Sequence, residues 1–257
     1  MQKAICLQAI VPIRREPSEP GEMVTQLLFG ETVSVIENNI QWMRVTCDYD
    51  NYSGWCDSKC LSIISEDDYR QLSETNYAVT SMLFAPIIEI TKPSIYWLPA
   101  GATFYFTKKE EFSIAGSTFK APDQMTLSTN ERIENLAQSF INVPYIWGGR
   151  SSFGADCSGF IQTVFKIYKT RLPRDAYQQA GCGESVDSFS EAKSGDLLFF
   201  ENSVKKIVHV GMLLPNNQIV HASGKIRIDT VDQQGIYNTE LSKYTHQLSL
   251  IRRITLY

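Results

Sequence analysis

The stretch Tyr145-Ile-Trp-Gly-Gly-Arg-Ser-Ser-Phe-Gly-Ala-Asp-Cys-Ser-Gly-Phe160 decides the fold of the C-terminal half of this chain. Its first part carries three glycines, which allow sharp turns and a close approach of the backbone. Its last residues begin an apolar pattern at helical spacing, which predicts a helix from about Cys157 to about Thr170. A helix start offers unpaired N–H groups and the positive end of the dipole, so we predict that this position stabilises the thiolate. Cys157 is therefore a candidate nucleophile, with a buried structural cysteine as the alternative.

Size and composition are those of an ordinary globular protein with one large domain or two to three small ones. The chain has 257 residues, 43% apolar and 20% charged, and a formal net charge of −4. The lack of basic excess argues against nucleic acid and anionic membranes as partners, and no apolar run approaches the roughly 20 residues that span a bilayer. Residues 1–12 do not resemble a signal peptide. We therefore expect a cytoplasmic protein with mostly free thiols, or an exported one if the sequence is a trimmed form.

Residues 1–65 are predicted to form a small all-β barrel. The expected strands are short apolar or alternating runs separated by turn-rich segments, at 4–11, 24–28, 32–37, 42–47 and 54–56. Residues 66–124 are expected to begin with a linker or short surface helix and then to form a second, diverged barrel. The cluster of Cys47, Cys56 and Cys60 has no second pair and no histidine nearby, so we predict apolar packing for these thiols and no metal site.

From about residue 125 the pattern changes to helices followed by strands, which predicts an α+β domain over 125–257. Ser128 or Thr129 is expected to cap a helix that ends before Pro144. Strands are expected at 196–200, 207–214 and 218–222, with sheet edges at 245–251 and 254–257.

Two histidines, His209 and His221, lie in adjacent predicted strands and are the candidate partners of the thiol. An imidazole is the best base near neutral pH, and a further polar group should fix its tautomer. The two histidines share a sheet face only if the connecting loop has an odd number of residues. We predict a three-residue loop, 215–217, which places His221 opposite Gly211; a two-residue turn would separate the imidazoles. His246 has no partner pattern and is predicted to lie on the surface.

The motifs around these residues resemble those of the NlpC-type papain-like cysteine peptidases of bacterial cell-wall metabolism, the NlpC/P60 family. The matching segments lie within 125–257 and are Tyr145-x-Trp-Gly-Gly, Asp156-Cys-Ser-Gly159, His209-Val-Gly and His221-Ala. The resemblance implies a papain-like catalytic domain that needs no metal or cofactor.

The same resemblance implies roles for individual residues. Cys157 would be the nucleophile, His209 the base and His221 the residue that orients the base, while Tyr145 would assist near the oxyanion. The two neighbours of the nucleophile, Asp156 and Ser158, would contact the substrate. In addition, the backbone N–H of Cys157 can donate to a developing oxyanion because it lies at a helix start.

The whole architecture resembles a narrower branch, in which bacterial SH3-type domains precede a γ-D-glutamyl-L-diamino acid endopeptidase. The segments that carry this resemblance are Leu172-Pro-Arg-Asp-Ala-Tyr-Gln-Gln179, Glu22-Met-Val-Thr-Gln-x-Leu-x-Gly-Glu31 and Tyr52-x-Gly-Trp55. The branch implies that Asp175, Glu22 and Tyr52 bind the free amine of an N-terminal L-Ala, since a desolvated ammonium needs carboxylate partners. This chain has Ala176 where the branch has serine. A solvated surface acid is the alternative for Glu22, and packing beside Trp55 is the alternative for Tyr52.

We therefore expect a monomeric cysteine endopeptidase that cleaves between D-Glu and the diamino acid of murein peptides that have a free N-terminal L-Ala. Its partner would be the peptide substrate, and its role would be cell-wall peptide recycling. One alternative is a murein hydrolase or amidase that acts on intact peptidoglycan, with the barrels as wall-binding modules. A second alternative is an inactive protein that binds wall fragments.

Overall fold

A computed structural model describes residues 2–108, 110–121 and 131–256 of the chain. The chain divides into two compact units, Met1–Ser128 and Thr129–Tyr257. The boundary predicted at residue 65 coincides with the N-cap of a helix inside the first unit. The boundary predicted at residue 124 lies outside the described residues. Among the helices of the described ranges, none is both long and apolar enough to cross a membrane.

The first part of the first unit is an antiparallel β-structure, as predicted. Its strands are β1 (Lys3–Ile5), β2 (Ile10–Arg14), β3 (Met23–Leu28), β4 (Thr32–Asn39), β5 (Trp42–Cys47), β6 (Ser53–Asp57) and β7 (Ser62–Ile64). They pair in the order β3-β2-β6-β5-β4-β1-β7. The single strand predicted at 4–11 is two strands, because a bend at residues 8–9 interrupts it. Cys47 and Cys56 lie in the apolar core of this sheet and Cys60 packs against it, which confirms apolar packing of these thiols.

A short helix and a second β-segment complete the first unit. Helix α1 (Glu66–Glu74) begins at Ser65, whose hydroxyl accepts a hydrogen bond from the N–H of Asp68 at 3.0 Å. The strands that follow are β8 (Tyr77–Val79), β9 (Phe84–Glu89), β10 (Ser94–Pro99), β11 (Thr103–Tyr105), β12 (Glu111–Ile114) and β13 (Ser117–Lys120). They form one sheet in the order β10-β9-β13-β12 and a separate β11–β8 pair. The β-character predicted for this segment is confirmed, and its relation to SH3-type barrels stays a prediction.

One hydrophobic cluster joins the two β-segments of the first unit. Phe29 follows β3 and packs edge-on against Phe119, with ring centroids 5.0 Å apart. The backbone carbonyl of Phe29 also accepts a hydrogen bond from the N–H of Thr103 at 2.8 Å. Gly30 has φ = +80°, and a Cβ added there would lie 1.9 Å from the carbonyl oxygen of Thr103. The junction therefore requires glycine at this position, both for its backbone angle and for its size.

The second unit has helices first and then a mostly antiparallel sheet, which confirms the predicted α+β class. Its elements are α2 (Ile133–Ser139), β14 (Arg150–Ser151), β15 (Gly154–Ala155), α3 (Cys157–Ile167), α4 (Ala176–Gln179), β16 (Glu184–Val186), β17 (Leu197–Glu201), β18 (Ile207–Leu214), β19 (Gln218–Ser223), β20 (Lys225–Val231), β21 (Gly235–Asn238) and β22 (Lys243–Arg253). Helix α2 has Arg132 as its N-cap, so the prediction that Ser128 or Thr129 caps this helix is wrong; those two residues themselves lie outside the described residues.

Strand β22 closes the sheet of the second unit. The strand order is β16-β22-β17-β18-β19-β20-β21, and β22 also pairs with β21. Strands β17 to β22 therefore form a ring. The strand predicted at 245–251 is present within β22, but it is not a sheet edge, because β22 has strand partners in β16, β17 and β21. The edge predicted at 254–257 is wrong for its described residues, 254–256, which form no strand. Helix α3 packs on β18 and β19 and has buried side chains along its whole length.

We expect Gly30→Ala to destabilise the first unit by about 2 kcal/mol or more, because it combines a left-handed backbone angle with a collision against Thr103. Gly116→Ala is the matched control, since Gly116 has φ = +78° but no atom within 4 Å of an added Cβ. The control substitution should lower the free energy of unfolding by about 1 kcal/mol, because it adds only the unfavourable backbone angle. Urea denaturation of the three proteins measures both values, and equal losses would contradict the proposed close junction.

Candidate active site

The helix that carries the candidate nucleophile begins at Cys157, as predicted, and Asp156 is its N-cap. The Asp156 carboxylate accepts hydrogen bonds from the N–H of Gly159 at 2.7 Å and from the N–H of Gly148 at 2.9 Å. One side chain thus joins the glycine-rich loop to the first turn of α3. A Cβ added at Gly159 would lie 2.1 Å from the carbonyl oxygen of Gly149. Glycine at this position therefore lets the helix start lie directly against the loop.

A buried arginine, which we did not predict as a site residue, holds this cap in place. Arg174 donates to both carboxylate oxygens of Asp156, at 3.0 and 2.6 Å, and to the hydroxyl of Ser158 at 3.0 Å. Burial alone would lower the pKa of Arg174, but the Asp156 charge and its hydrogen bonds raise it, so the guanidinium stays charged. The substrate contacts implied for Asp156 and Ser158 stay predictions. Both side chains are already hydrogen-bonded to Arg174, which supports a role in fixing the helix start.

The thiol of Cys157 is buried against the strand that carries the candidate base. Its sulfur accepts hydrogen bonds from the backbone N–H groups of Ser158 and of Val210, the residue after His209. Burial raises the pKa of Cys157 to about 11, the charge of Asp156 acts in the same direction, and the two N–H groups oppose them only in part. The helix start favours the thiolate as predicted, through the N–H of Ser158, but burial outweighs this effect, so the thiol is protonated in the resting site. The thiol needs a base to become a nucleophile.

The two candidate histidines share one face of the sheet, which confirms the predicted register. Leu214 pairs with Gln218, so the loop between β18 and β19 has three residues, and His221 lies opposite Gly211. Nε2 of His209 and Nδ1 of His221 are 2.9 Å apart, within hydrogen-bonding distance. Both imidazoles are buried.

Asp229 on β20 extends this pair into a chain. Its Oδ2 lies 3.0 Å from Nε2 of His221, and its Oδ1 accepts a hydrogen bond from Nη2 of Arg227 at 2.9 Å. Burial would raise the pKa of Asp229, but the hydrogen bonds from His221 and Arg227 outweigh it and hold the pKa below its usual range. Asp229 is therefore a carboxylate. We did not predict it, although Gly224 between two alternating segments is a usable signal for the β19–β20 hairpin.

The carboxylate fixes the proton on each imidazole. An ionised Asp229 can only accept, so Nε2 of His221 must carry the proton. Nδ1 of His221 is then an acceptor, and Nε2 of His209 must donate to it. The remaining nitrogen of His209, Nδ1, is left unprotonated, which is the form that a general base requires. Burial holds the pKa of His209 well below its ordinary value, and repulsion from His221 or His246 lowers it further when either of those rings is protonated, so the imidazole is neutral at rest.

Tyr145 is the fourth residue predicted to be catalytic, and it lies in the loop before the nucleophile. Burial raises its pKa to about 12, and the ionisable side chains of Cys157 and Asp156 raise it further. The side chains of Tyr145 and Cys157 are therefore close enough to interact electrostatically. Tyr145 therefore stays a phenol at neutral pH and can donate a hydrogen bond.

The residues predicted to bind the substrate amine lie in both units, and their substrate contacts stay predictions. In the second unit, Asp175 precedes α4 and is partly exposed. In the first unit, Glu22 forms an ion pair with Arg15 at 2.9 Å, and Tyr52 lies next to β6 with its N–H donating to Asp50.

His246 contradicts its predicted surface position. The side chain is only partly exposed, and its ring stacks on that of His209, with centroids 4.2 Å apart and an interplanar angle of 27°. This position results from the closure of the sheet by β22, which the polar neighbours of His246 in sequence do not indicate. The histidine cluster does not form a metal site: within the described ranges, no group of three or more His, Cys, Asp or Glu side chains is arranged to hold an ion.

A buried thiol at a helix start, beside a strand whose imidazole is oriented by a second imidazole and a carboxylate, defines the active site of a cysteine peptidase. Comparison with known proteins gives the family. Residues 142–245 match the NlpC/P60 family, and residues 13–61 match the bacterial dipeptidyl-peptidase Sh3 domain, which confirms the SH3-type prediction for the first barrel.

Relatives match along most of the chain. It is 31% identical to the gamma-D-glutamyl-L-lysine dipeptidyl-peptidase of Bacillus subtilis over 84% of this chain and 78% of that protein. It is 25% identical to dipeptidyl-peptidase 6 of Lysinibacillus sphaericus over 93% of this chain and 96% of that protein. A solved NlpC/P60 family structure from Bacillus cereus has the same fold, with a TM-score of 0.81 over 98% of this chain and 99% of that chain at 18% identity. The chain therefore belongs to the NlpC/P60 family of peptidases.

We expect Asp229→Asn to lower kcat by about 100- to 10,000-fold, as loss of the orienting carboxylate does in comparable triads. Arg227 can only donate, so the amide oxygen of the asparagine must face it. The amide NH2 then faces His221 and moves the proton of both imidazoles to Nδ1. In that tautomer His209 cannot accept the proton of the thiol. Steady-state kinetics measures the loss, and thermal denaturation should show an intact fold.

The double variant Arg227→Met with Asp229→Asn is the matched control. Without the arginine, the asparagine amide can rotate and accept from His221, so activity should recover at least about tenfold relative to Asp229→Asn. Arg227→Met alone should change kcat only modestly. If Asp229→Asn keeps nearly full activity, or if the double variant shows no recovery, Asp229 does not set the tautomer.

Proposed function

We propose that this chain hydrolyses the amide bond between the γ-carboxyl of D-Glu and the amino group of a diamino acid, in murein peptides that begin with a free L-Ala. The chain Asp229–His221–His209 beside the Cys157 thiol carries the proposal, because it supplies a nucleophile and an oriented base. The relative from Bacillus subtilis, whose name specifies a γ-D-glutamyl-L-lysine bond, supports the substrate class.

Acylation begins with transfer of the Cys157 proton to Nδ1 of His209. The sulfur attacks the γ-carbonyl carbon, a C–S bond forms, and negative charge moves to the carbonyl oxygen. The positive charge on His209 is shared through the hydrogen bond to His221 and is balanced by Asp229. The N–H of Cys157, in the first turn of α3, and the hydroxyl of Tyr145 are the proposed donors to the oxyanion.

Collapse of this intermediate breaks the C–N bond, and the leaving amine takes the proton from His209. The product is a thioester between the γ-carbonyl and Cys157. A water molecule then gives its proton to His209 and attacks the thioester carbon. The Cys157 thiolate leaves and takes the proton back, which releases L-Ala-D-Glu and restores the enzyme.

Preference for a free N-terminus follows from charge. We propose that the Asp175 carboxylate binds the ammonium of L-Ala, a charge-assisted contact that an acetylated amine cannot make. The enzyme would then act on short released peptides and not on intact wall, as a monomer in cytoplasmic peptide recycling. Both lysine and diaminopimelate present the scissile amine in the same chemical form, so both belong to the proposed substrate class.

We expect the chain to hydrolyse L-Ala-γ-D-Glu-L-Lys, or its diaminopimelate analogue, and to lose about 10- to 100-fold in kcat/KM when the N-terminus is acetylated. Chromatography of the released dipeptide and diamino acid measures both rates. Asp175→Asn should lower activity on the free peptide and leave the acetylated peptide nearly unaffected. Cys157→Ala is the control and should be inactive on every substrate.

Other outcomes would contradict the proposal. Equal rates on free and acetylated peptides would rule out recognition of the amine. Faster release of fragments from intact peptidoglycan than from the tripeptide would identify a wall hydrolase. Full turnover by Cys157→Ala would exclude Cys157 as the nucleophile, and absence of turnover by the wild type with retained peptide binding would identify a binding protein.

A further inference from the structure

His246 has the most direct ring contact with the base, and the proposed reaction gives it no role. Its centroid lies 4.2 Å from that of His209 with the rings stacked, and 5.8 Å from that of His221 with the rings nearly perpendicular. Phe200 contacts both rings of the stacked pair, at 5.8 Å from His209 and 6.0 Å from His246. The base therefore lies among aromatic side chains.

The backbone holds His246 in this place. Its strand, β22, pairs on one side with β21, where His246 is opposite Ile236, and on the other with β17. Gly235 approaches so closely that an added Cβ would lie 1.9 Å from the carbonyl oxygen of His246. Nδ1 of His246 is 2.9 Å from the hydroxyl of Thr245, which can fix the rotation of the ring. The stacking is thus built into the sheet closure.

The electrostatic surroundings keep His246 uncharged. Burial and the neighbouring His221 lower its pKa to about 4, against an opposing effect of Asp229. On β17, the Glu201 carboxylate is paired with Lys205 and accepts a hydrogen bond from Ser249. At neutral pH the ring that His246 presents to His209 is therefore a neutral aromatic face.

We propose that His246 is a positioning residue for the base: its neutral ring restrains the plane of His209 and stabilises the imidazolium that His209 becomes when it takes the thiol proton. The attraction is that of a cation for the negative face of an aromatic ring, which is strongest at a desolvated site. The proton moves from Sγ of Cys157 to Nδ1 of His209, and His246 itself exchanges no proton. This inference rests on the proposed reaction.

Two substitutions of His246 distinguish the effect of an aromatic ring from the effect of side-chain volume. His246→Phe keeps a ring and excludes water, while His246→Leu keeps apolar bulk but has no aromatic face. We expect the phenylalanine variant to keep kcat within about twofold of the wild type and the leucine variant to lose about tenfold, with KM unchanged in both. A purely structural role predicts that the two variants behave alike. Thermal denaturation checks that both are folded.

Alkylation of Cys157 by iodoacetamide tests the inference without any peptide. In the pH-independent region its rate measures the fraction of thiolate paired with imidazolium, so it should fall about tenfold in His246→Leu and stay near the wild-type rate in His246→Phe. At a pH above the thiol pKa all three proteins should react equally. If the leucine variant matches the phenylalanine variant in this assay, the inference is wrong, whatever the substrate is. Failure of peptide hydrolysis in the wild type, with the alkylation pattern intact, would contradict only the proposed function.

Discussion

The hydrogen-bonded chain from Asp229 through His221 to His209 is the constraint on which the site depends. Two neutral imidazoles could place their protons in several ways, and only one of them leaves Nδ1 of His209 without a proton. The ionised carboxylate of Asp229 selects that arrangement, because it can only accept a hydrogen bond. His221 must therefore donate to Asp229, and His209 must donate to His221. Arg227 holds the carboxylate from its other side. All of these groups lie on the adjacent strands β18, β19 and β20. The pairing register of these strands therefore determines which side chains meet in the site.

Burial of the thiol and the imidazole changes the pKa of both groups and the free energy needed to charge them. A desolvated thiol has a raised pKa and a desolvated imidazole a lowered one, so the resting pair is neutral. Forming thiolate and imidazolium then costs free energy, and the same low dielectric strengthens any group that stabilises the charges. Asp229 acts on the imidazolium through His221, and two backbone N–H groups act on the sulfur. The ion pair between Arg174 and Asp156 fixes the start of α3, where Cys157 lies.

Local sequence pattern predicts the parts of the structure that neighbouring residues determine, and it fails where distant segments meet. Parity linked a three-residue loop to a shared face for His209 and His221, and the expected pairing of the two histidines selected that loop over a two-residue turn. The apolar spacing predicted the helix start at Cys157. The partly buried position of His246 depends on the pairing of β22 with both β17 and β21, and the sequence around His246 does not indicate that pairing. The raised pKa of the thiol likewise reflects tertiary burial, whereas the helix start alone suggests the opposite direction. Asp229 lies on β20, between residues 222 and 245, where the sequence pattern was not predicted to form a strand.

Nitrogen NMR of the imidazoles in the free protein tests the central claim most directly. With ¹⁵N-labelled histidine at neutral pH, His209 should be neutral, and Nε2 of both imidazoles should carry a proton. A proton on Nδ1 of either ring would contradict the proposed hydrogen-bonded chain. A resting imidazolium at His209 would contradict the neutral thiol–imidazole pair.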